Sequence, residues 1–89
     1  MIWKIEWDDR ARKELRKLDF TVQKEIFAFL RDRIERSRDP RQFGYGLSGN
    51  KAGLWRYRIG NYRLICKIEE SVLSVLVVRV GHRKEVYEH

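Results

Sequence analysis

Three arginines lie close together in the stretch Trp55–Arg63, which has the sequence W-R-Y-R-I-G-N-Y-R. A Gly-Asn pair separates its two alternating segments and favours a tight two-residue hairpin turn of the primed kind. In the antiparallel register of such a turn, Arg58 lies directly across from Arg63, and Arg56 lies two residues back on the same face. Like charges opposite each other in a sheet are destabilising, by about 0.2 to 1 kcal/mol per pair. An anion between the arginines would remove this repulsion, so the hairpin predicts a phosphate-binding surface.

The simpler interpretation of the same residues is the solvated face of an ordinary amphipathic hairpin. The apolar alternate residues of the two segments, Trp55 to Ile59 and Tyr62 to Ile68, fall together on the opposite face and predict the core side. Cys66 belongs to this apolar set, so we predict a core residue rather than a reactive thiol. We favour the phosphate-binding interpretation because no acid stands near the arginines in the sequence.

The positive charge of the chain is concentrated in its second half. Twenty Lys and Arg residues against 13 Asp and Glu give a net charge of +7. The stretch 41–63 contains bases but no acid, and its basic residues are Arg41, Lys51, Arg56, Arg58 and Arg63. Such a field favours nucleic acid, an anionic membrane or an acidic protein as partner, without choosing among them. Arg41 and Lys51 therefore join the hairpin arginines as candidate binding residues.

Length and composition exclude several classes of protein. With 89 residues the chain has room for one domain, which we predict over residues 1–89. No apolar run approaches the roughly 20 residues of a membrane span, and the first residues lack a signal-peptide pattern, so we predict a cytoplasmic protein without a membrane partner. One Cys, two His and no clustered carboxylates offer no set of metal ligands. We expect no metal and no cofactor, so any catalysis would be metal-free.

Hydrophobic periodicity predicts the elements in front of the hairpin. Residues 2–7 alternate as a half-buried strand, and two amphipathic helices follow over residues 8–19 and 19–39. The glycine-rich stretch 41–53 predicts a loop, and it lacks both the Gly-Lys-Ser ending and the following helix of a phosphate-binding P-loop.

The segments after the hairpin complete the predicted sheet. Val72–Val80 is almost continuously apolar, as in a buried central strand, and it ends at Gly81. The order strand, helix, helix and then three consecutive antiparallel strands predicts an α+β domain, with the helices on one face of a small twisted sheet. The other face carries the arginines, and the tail after Gly81 is expected to bring Arg83 and Tyr87 to it.

Two motifs resemble the RelE/ParE toxin superfamily, in a match that spans essentially the whole chain. They are G-L-W-R-Y-R-I-G-N-Y-R-L at 53–64 and V-G-H-R-K-E-V-Y at 80–87. The resemblance implies a RelE-like, microbial-RNase-like fold and a toxin of a type II toxin-antitoxin system that causes growth arrest. RelE-type members cleave mRNA in the ribosomal A site and so inhibit translation, whereas ParE-type members inhibit DNA gyrase without cutting nucleic acid.

The tail favours the first of these activities. RelE-type toxins carry basic residues on the middle strands, an arginine after the glycine that ends the last strand, and a tyrosine a few residues on. These places are occupied here by Arg56, Arg58, Arg63, Arg83 and Tyr87. The resemblance therefore implies a ribosome-dependent endoribonuclease, or mRNA interferase, with ParE-type gyrase inhibition as the alternative.

Metal-free RNA cleavage uses the ribose 2′-OH as nucleophile and needs a base, an acid and charge stabilisation. The planar guanidinium of arginine forms paired hydrogen bonds to phosphate oxygens. Arginine is, however, a poor general base because its pKa exceeds about 12. The best-known relatives carry lysine where this chain has Arg56 and Arg58. His82 is the candidate base because imidazole titrates near 6.5, although adjacent residues of an extended segment point to opposite faces. Tyr87 would stack on a codon base or bond the sugar or phosphate. The sequence leaves the identity of the base open.

The resemblance also implies partners. These are the ribosome with its rRNA, mRNA, and a cognate acidic antitoxin, RelB-like, which forms a hetero-oligomeric, operator-binding complex with the toxin. Lys84 is a candidate contact to the RNA backbone. A further hypothesis is that the first helix docks on rRNA phosphates through its basic residues Arg10, Arg12, Lys13, Arg16 and Lys17.

Overall fold

The structure is a computed structural model that describes residues 2–86, which form a five-stranded sheet with two helices against one face. The helices and strands in chain order are β1 (Lys4–Trp7), α1 (Asp9–Arg16), α2 (Phe20–Phe29), β2 (Tyr45–Gly46), β3 (Trp55–Ile59), β4 (Tyr62–Glu69), β5 (Ser74–His82) and α3 (Arg83–Val86). The strand order is β1-β5-β4-β3-β2. This arrangement confirms the predicted α+β class.

The two long helices bury one stripe each, as their periodicity predicted. Ala11 and Leu15, four residues apart on α1, are both in the core. α1 ends at Arg16, earlier than the predicted end near residue 19, because Asp19 has an extended backbone and is the N-cap of α2. The apolar stripe of α2 continues past Phe29 through wider π-helical turns over Leu30–Glu35.

The predicted antiparallel meander is β3, β4 and β5, and its hairpin register is confirmed. Arg58 pairs with Arg63 across the strands, and Gly60 takes the positive φ of 59° that the turn requires. β4 and β5 pair antiparallel with a bulge between Ile65 and Cys66, so that one residue of β5 is extra. Because of this extra residue, the β5 residues after the bulge point to the opposite face from the one that a regular strand would give them.

The two edge strands of the sheet show features that the sequence analysis did not specify. β1 pairs parallel with the first half of β5, Lys4 opposite Ser74 and Trp7 opposite Val77. On the far edge, the predicted loop 41–53 contributes the two-residue strand β2, in which Tyr45 pairs with Arg56. The meander is therefore flanked by one short strand on each side.

The core lies between the helices and one face of the sheet. Tyr57 and Cys66 are fully buried there, and the Tyr57 hydroxyl donates a hydrogen bond to the Pro40 carbonyl at 2.8 Å. Burial raises the pKa of the Tyr57 hydroxyl, and burial likewise raises the pKa of the Cys66 thiol. Cys66 is thus a neutral core residue, as predicted.

These two groups make the fold sensitive to alkaline pH. In the unfolded chain a thiol ionises near 8.5 and a phenol near 10, so the unfolded state releases protons that the folded state keeps. We expect full stability below about pH 8.5 and a loss of up to about 1.4 kcal/mol per pH unit per group above it, Cys66 first and Tyr57 next. Urea unfolding from neutral pH to about pH 10.5 would measure this, and Cys66→Ala should delay the onset. A stability curve that stays flat to about pH 10 would contradict it.

Candidate phosphate-binding site

The hairpin presents its arginines on the face of the sheet that the helices leave uncovered. Tyr57 and Leu64 pair with each other and point into the core, so the neighbouring pair of Arg58 and Arg63 lies on the opposite face. Arg56 lies on that same face, across from Ile65. We call these three residues, Arg56, Arg58 and Arg63, the arginine face. The structure thus brings together the three strand residues that the sequence predicted.

Arg63 is unusual because it is only 5% exposed although it carries a charge. Its Nη1 donates to the carbonyls of Gly60 at 2.9 Å and Tyr62 at 3.0 Å, while its buried Nε has no hydrogen-bond partner among the described residues. Among the side chains of residues 2–84, no carboxylate lies at ion-pair distance from Arg58 or Arg63. A buried charge without a counterion is costly, and a bound anion would remove that cost.

On the same face of the sheet, the charged residues far from the hairpin turn are paired with opposite charges. Lys4 pairs with Glu6 at 3.6 Å, and Lys67 pairs with Glu69 at 3.5 Å. The Ser74 hydroxyl also donates to Glu6, at 3.2 Å. These basic residues therefore have acidic partners, in contrast to Arg58 and Arg63 beside the hairpin turn.

The segment after β5 begins beside the hairpin turn. The backbone N–H of Arg83 donates to the Asn61 carbonyl at 2.9 Å, which ties the start of α3 to the turn. The Arg83 side chain is exposed there, whereas Tyr87 lies outside the described residues. The structure therefore brings Arg83 to the turn end of the arginine face.

His82 lies on the other face of the sheet. It pairs across the strands with Tyr62, whose ring is 5.7 Å from the imidazole in an edge-on contact, while Gly81 is the residue opposite Arg63. The Nδ1 atom of His82 accepts a hydrogen bond from the backbone N–H of Lys84 at 3.3 Å. The sheet thus separates His82 from the arginines, and its imidazole contacts the start of α3 instead.

Comparison with known proteins assigns this arrangement to a family. A family model described as the ParE toxin of the type II toxin-antitoxin system parDE matches residues 5–87. The chain belongs to this toxin family, within the RelE/ParE superfamily. The superfamily that the two sequence motifs implied is therefore confirmed.

Individual relatives agree over nearly their whole length. Toxin RelG of Mycobacterium tuberculosis is 30% identical over 87 residues, which is 98% of either chain. The M. tuberculosis toxin-antitoxin complex RelBE2 contains a chain that superposes with a TM-score of 0.82 at 29% identity, covering 93% of this chain and 100% of that one. The isolated Escherichia coli RelE toxin superposes with a TM-score of 0.71 at 29% identity, covering 97% and 92%.

The remaining candidate residues of the toxin lie in three different parts of the fold. Arg41 is on the helix side of the sheet, where its guanidinium lies 6.0 Å from the Trp55 ring and forms an ion pair with Glu70 at 3.5 Å. Lys51 lies in a 3-10 turn of the loop before β3, and Lys84 is exposed in α3.

The basic residues of α1 likewise form a separate surface. Arg10 pairs with Glu14 at 3.8 Å, and Arg12 donates to the Trp7 carbonyl at 3.4 Å. Lys13, like Arg16 and Lys17, is exposed. The basic residues of α1 are therefore a second candidate surface, distinct from the arginine face.

Glu14 makes structural contacts between α1 and β5 that the sequence reasoning missed. One oxygen of its carboxylate accepts from Arg79 Nε at 2.9 Å, and the other accepts from the backbone N–H of Val80 at 2.9 Å. β1 ends opposite Val77, so Glu14 covers the edge of β5 that continues beyond it. Arg79 interrupts an otherwise apolar strand, and this was the signal that could have revealed the pair.

Tyr45 was also missed. It lies on the arginine face because it pairs with Arg56, and its ring centroid is 5.3 Å from the guanidinium carbon. Its position between two glycines in an apparent loop was the available signal. No group of three or more His, Cys, Asp or Glu side chains among residues 2–84 is placed to hold a metal ion, and none of the helices that the structure describes is long and apolar enough to cross a bilayer.

Proposed function

We propose that this toxin is a metal-independent, ribosome-dependent endoribonuclease that cleaves mRNA in the A site and thereby inhibits translation. The observation that carries the proposal is the pair of opposed arginines, Arg58 and Arg63, of which Arg63 is buried and has no acidic side chain of residues 2–84 at ion-pair distance. A scissile phosphate supplies the missing negative charge. A plain solvated face would not require an arginine to be buried.

In the proposed reaction the ribose 2′-oxygen attacks the adjacent phosphorus. The new P–O2′ bond forms as the P–O5′ bond breaks, which gives a 2′,3′-cyclic phosphate and a 5′-OH. The 2′-OH proton passes to a base, and the leaving O5′ takes a proton from an acid. Arg56, Arg58 and Arg63 stabilise the extra negative charge on the phosphoryl oxygens, and the fixed donors of Arg63 need little reorganisation.

The base in this reaction is not assigned to His82, because His82 lies on the helix side of the sheet. A site with arginines and no strong base depends on a substrate that is already bent for in-line attack. The ribosome supplies that geometry in the proposal, which is why cleavage is expected in the A site and in the cytoplasm. We infer that Arg83 adds a positive charge from the start of α3, and that Tyr87, which lies outside the described residues, acts with it as the resemblance implies.

Partners follow from the same proposal. The RelBE2 structure is a toxin-antitoxin complex, and we infer that this toxin also binds a cognate RelB-like antitoxin whose acidic segment covers the arginine face. The toxin-antitoxin pair would bind its own operator. The exposed bases of α1, including Lys13 and Arg16, would contact rRNA phosphates.

The alternative function is inhibition of DNA gyrase without nuclease activity. The family description names ParE, which favours this alternative. The two functions make different demands on the tail. A nuclease needs Arg83 and Tyr87 at the scissile phosphate, whereas a gyrase inhibitor of the ParE type does not.

Mapping of 5′ ends by primer extension tests the proposal. Purified toxin is mixed with mRNA, alone and on programmed ribosomes with an open A site. We expect ribosome-dependent cuts within the A-site codon, and at least tenfold fewer with Arg83→Ala, because removing a charge-stabilising group typically costs about 100-fold. Lys24→Ala is the matched control, an exposed base on α2 that should cut normally. No cuts from a toxin that still arrests growth and inhibits gyrase supercoiling would overturn the proposal.

A further inference from the structure

Tyr45 is a large aromatic residue exposed on the arginine face. It is 60% exposed, whereas the other exposed rings of the described chain, Phe20 and Phe27, lie on α2. The Arg56 guanidinium lies over the Tyr45 ring at 5.3 Å, a cation–π contact that covers part of one side of the ring. The rest of the ring faces solvent on the face that also carries Arg58 and Arg63.

The backbone that carries Tyr45 is held tightly although β2 has only two residues. A Cβ atom at Gly44 would clash with the Arg56 carbonyl oxygen, and one at Gly46 would lie 3.2 Å from the Trp55 ring. Trp55 also donates from its indole N–H to the Phe43 carbonyl. These close contacts, possible because residues 44 and 46 are glycines, fix Tyr45 against β3.

An exposed ring beside phosphate-binding arginines has a specific chemical use. Unpaired RNA bases are recognised by stacking on aromatic rings and guanidinium planes, and the phosphates on either side are held by arginine. Arg58 lies two residues along β3 from Arg56, about 7 Å away, so one nucleotide can reach both the ring and the hairpin charges.

The geometry points to a base-stacking platform, formed by Tyr45 and Arg56, that binds an unpaired base of single-stranded RNA next to the phosphate held by Arg58 and Arg63. This inference rests on the proposed function and adds a binding residue to it. The ring orients the nucleotide without taking part in proton transfer. It accepts any base, because every base has a flat apolar surface to stack.

The test uses a short single-stranded RNA that carries the fluorescent base 2-aminopurine and 2′-O-methyl groups that block cleavage. Stacking quenches 2-aminopurine, so the readout reports the ring contact and not only affinity. We expect Tyr45→Ala to weaken binding about tenfold and to abolish the quenching. Tyr45→Phe and Tyr45→Trp should restore both, whereas Tyr45→Leu, apolar but not aromatic, should not. The melting temperature of all four variants should match that of the wild type, because the ring is exposed.

Three alternative results of this test would refute the base-stacking platform. Unchanged binding and quenching in Tyr45→Ala, with weakened binding in Arg63→Ala, would refute the platform and leave the proposed function standing. Equal rescue by Tyr45→Leu would mean that apolar contact alone is involved, and would also refute stacking. If neither Tyr45→Ala nor Arg63→Ala changes RNA binding, the platform fails, whereas the proposed function is decided separately by cleavage on programmed ribosomes.

Discussion

Replacing Arg63 with alanine is expected to lower ribosome-dependent RNA cleavage about 100-fold or more. The buried guanidinium is held in place by two backbone carbonyls, Gly60 and Tyr62, so its charge is fixed before substrate arrives. Loss of such a fixed group removes part of the stabilisation of the charge that develops on the phosphate, and Arg58, which is exposed, lacks the backbone hydrogen bonds that fix Arg63. Single-turnover cleavage of mRNA on programmed ribosomes measures the effect. Arg63→Lys should recover part of the rate, since lysine keeps the charge but loses the planar fork.

The control for this variant is Lys67→Ala. Lys67 lies on the same strand and the same face as Arg63, but Glu69 already neutralises it at 3.5 Å. Its removal should leave cleavage within about twofold of the wild type, as is usual for a surface ion pair. Thermal unfolding should show that Arg63→Ala stays folded, since the lost hydrogen bonds are offset by relief of the repulsion from Arg58. Cleavage within tenfold of the wild type from folded Arg63→Ala would refute the phosphate-binding role.

Replacing Tyr57 with alanine is expected to cost about 4 kcal/mol of unfolding free energy. The ring is fully buried, lies 5.5 Å from the Phe29 ring, and its hydroxyl satisfies the Pro40 carbonyl. The variant would therefore create a cavity and leave a buried acceptor without a partner. A domain of this size has about 5 to 12 kcal/mol in total, so a third or more of the stability would be lost. Urea unfolding at neutral pH gives the number.

Two other tyrosine variants separate the contributions. Tyr57→Phe keeps the ring and should cost about 1 to 2 kcal/mol, the penalty of the unsatisfied Pro40 carbonyl. Tyr45→Ala removes an equally large ring from the exposed side of the same sheet and should change stability by less than about 0.5 kcal/mol. Equal losses for Tyr57→Ala and Tyr45→Ala would show that the core assignment is wrong.

The hairpin could be predicted from sequence because its information is local. A two-residue Gly-Asn turn allows few registers, so the pairing of Arg58 with Arg63 followed directly, and strict alternation then assigned Tyr57 and Leu64 to the core. The helices were equally accessible, since the spacing of Ile26 on α2 and of Leu15 on α1 with their apolar neighbours gives each a single buried stripe.

The position of His82 could not be predicted, because it depends on the bulge between β4 and β5. Without the extra residue in β5, Gly81 would stand opposite Tyr62, and His82 would fall on the arginine face. With it, His82 stands opposite Tyr62 on the helix side. A bulge at Ile65 leaves no periodic signal in a strand whose residues are apolar on both faces.

The short strand β2 and the position of Arg41 could not be predicted from the sequence for a different reason. β2 has two residues, too few for any period, and it exists because close contacts at Gly44 and Gly46 hold it against Trp55. Arg41 was placed with the binding residues by charge alone, but the chain carries it to the helix side, where Glu70 pairs with it. Net charge locates a field along the chain, whereas only the tertiary structure determines which face presents it.

The parallel pairing of β1 with β5 has a consequence for the order of folding. Lys4 and Ser74 are separated by about 70 residues, so their pairing closes a long loop and gains contacts only after that entropy has been lost. The β3–β4 hairpin and the β4–β5 connection close short loops and can form early. A chain emerging during translation would therefore hold β1 unpaired until β5 is synthesised. The arginines would meet in an early hairpin, while the rigid sheet beneath them would be completed last.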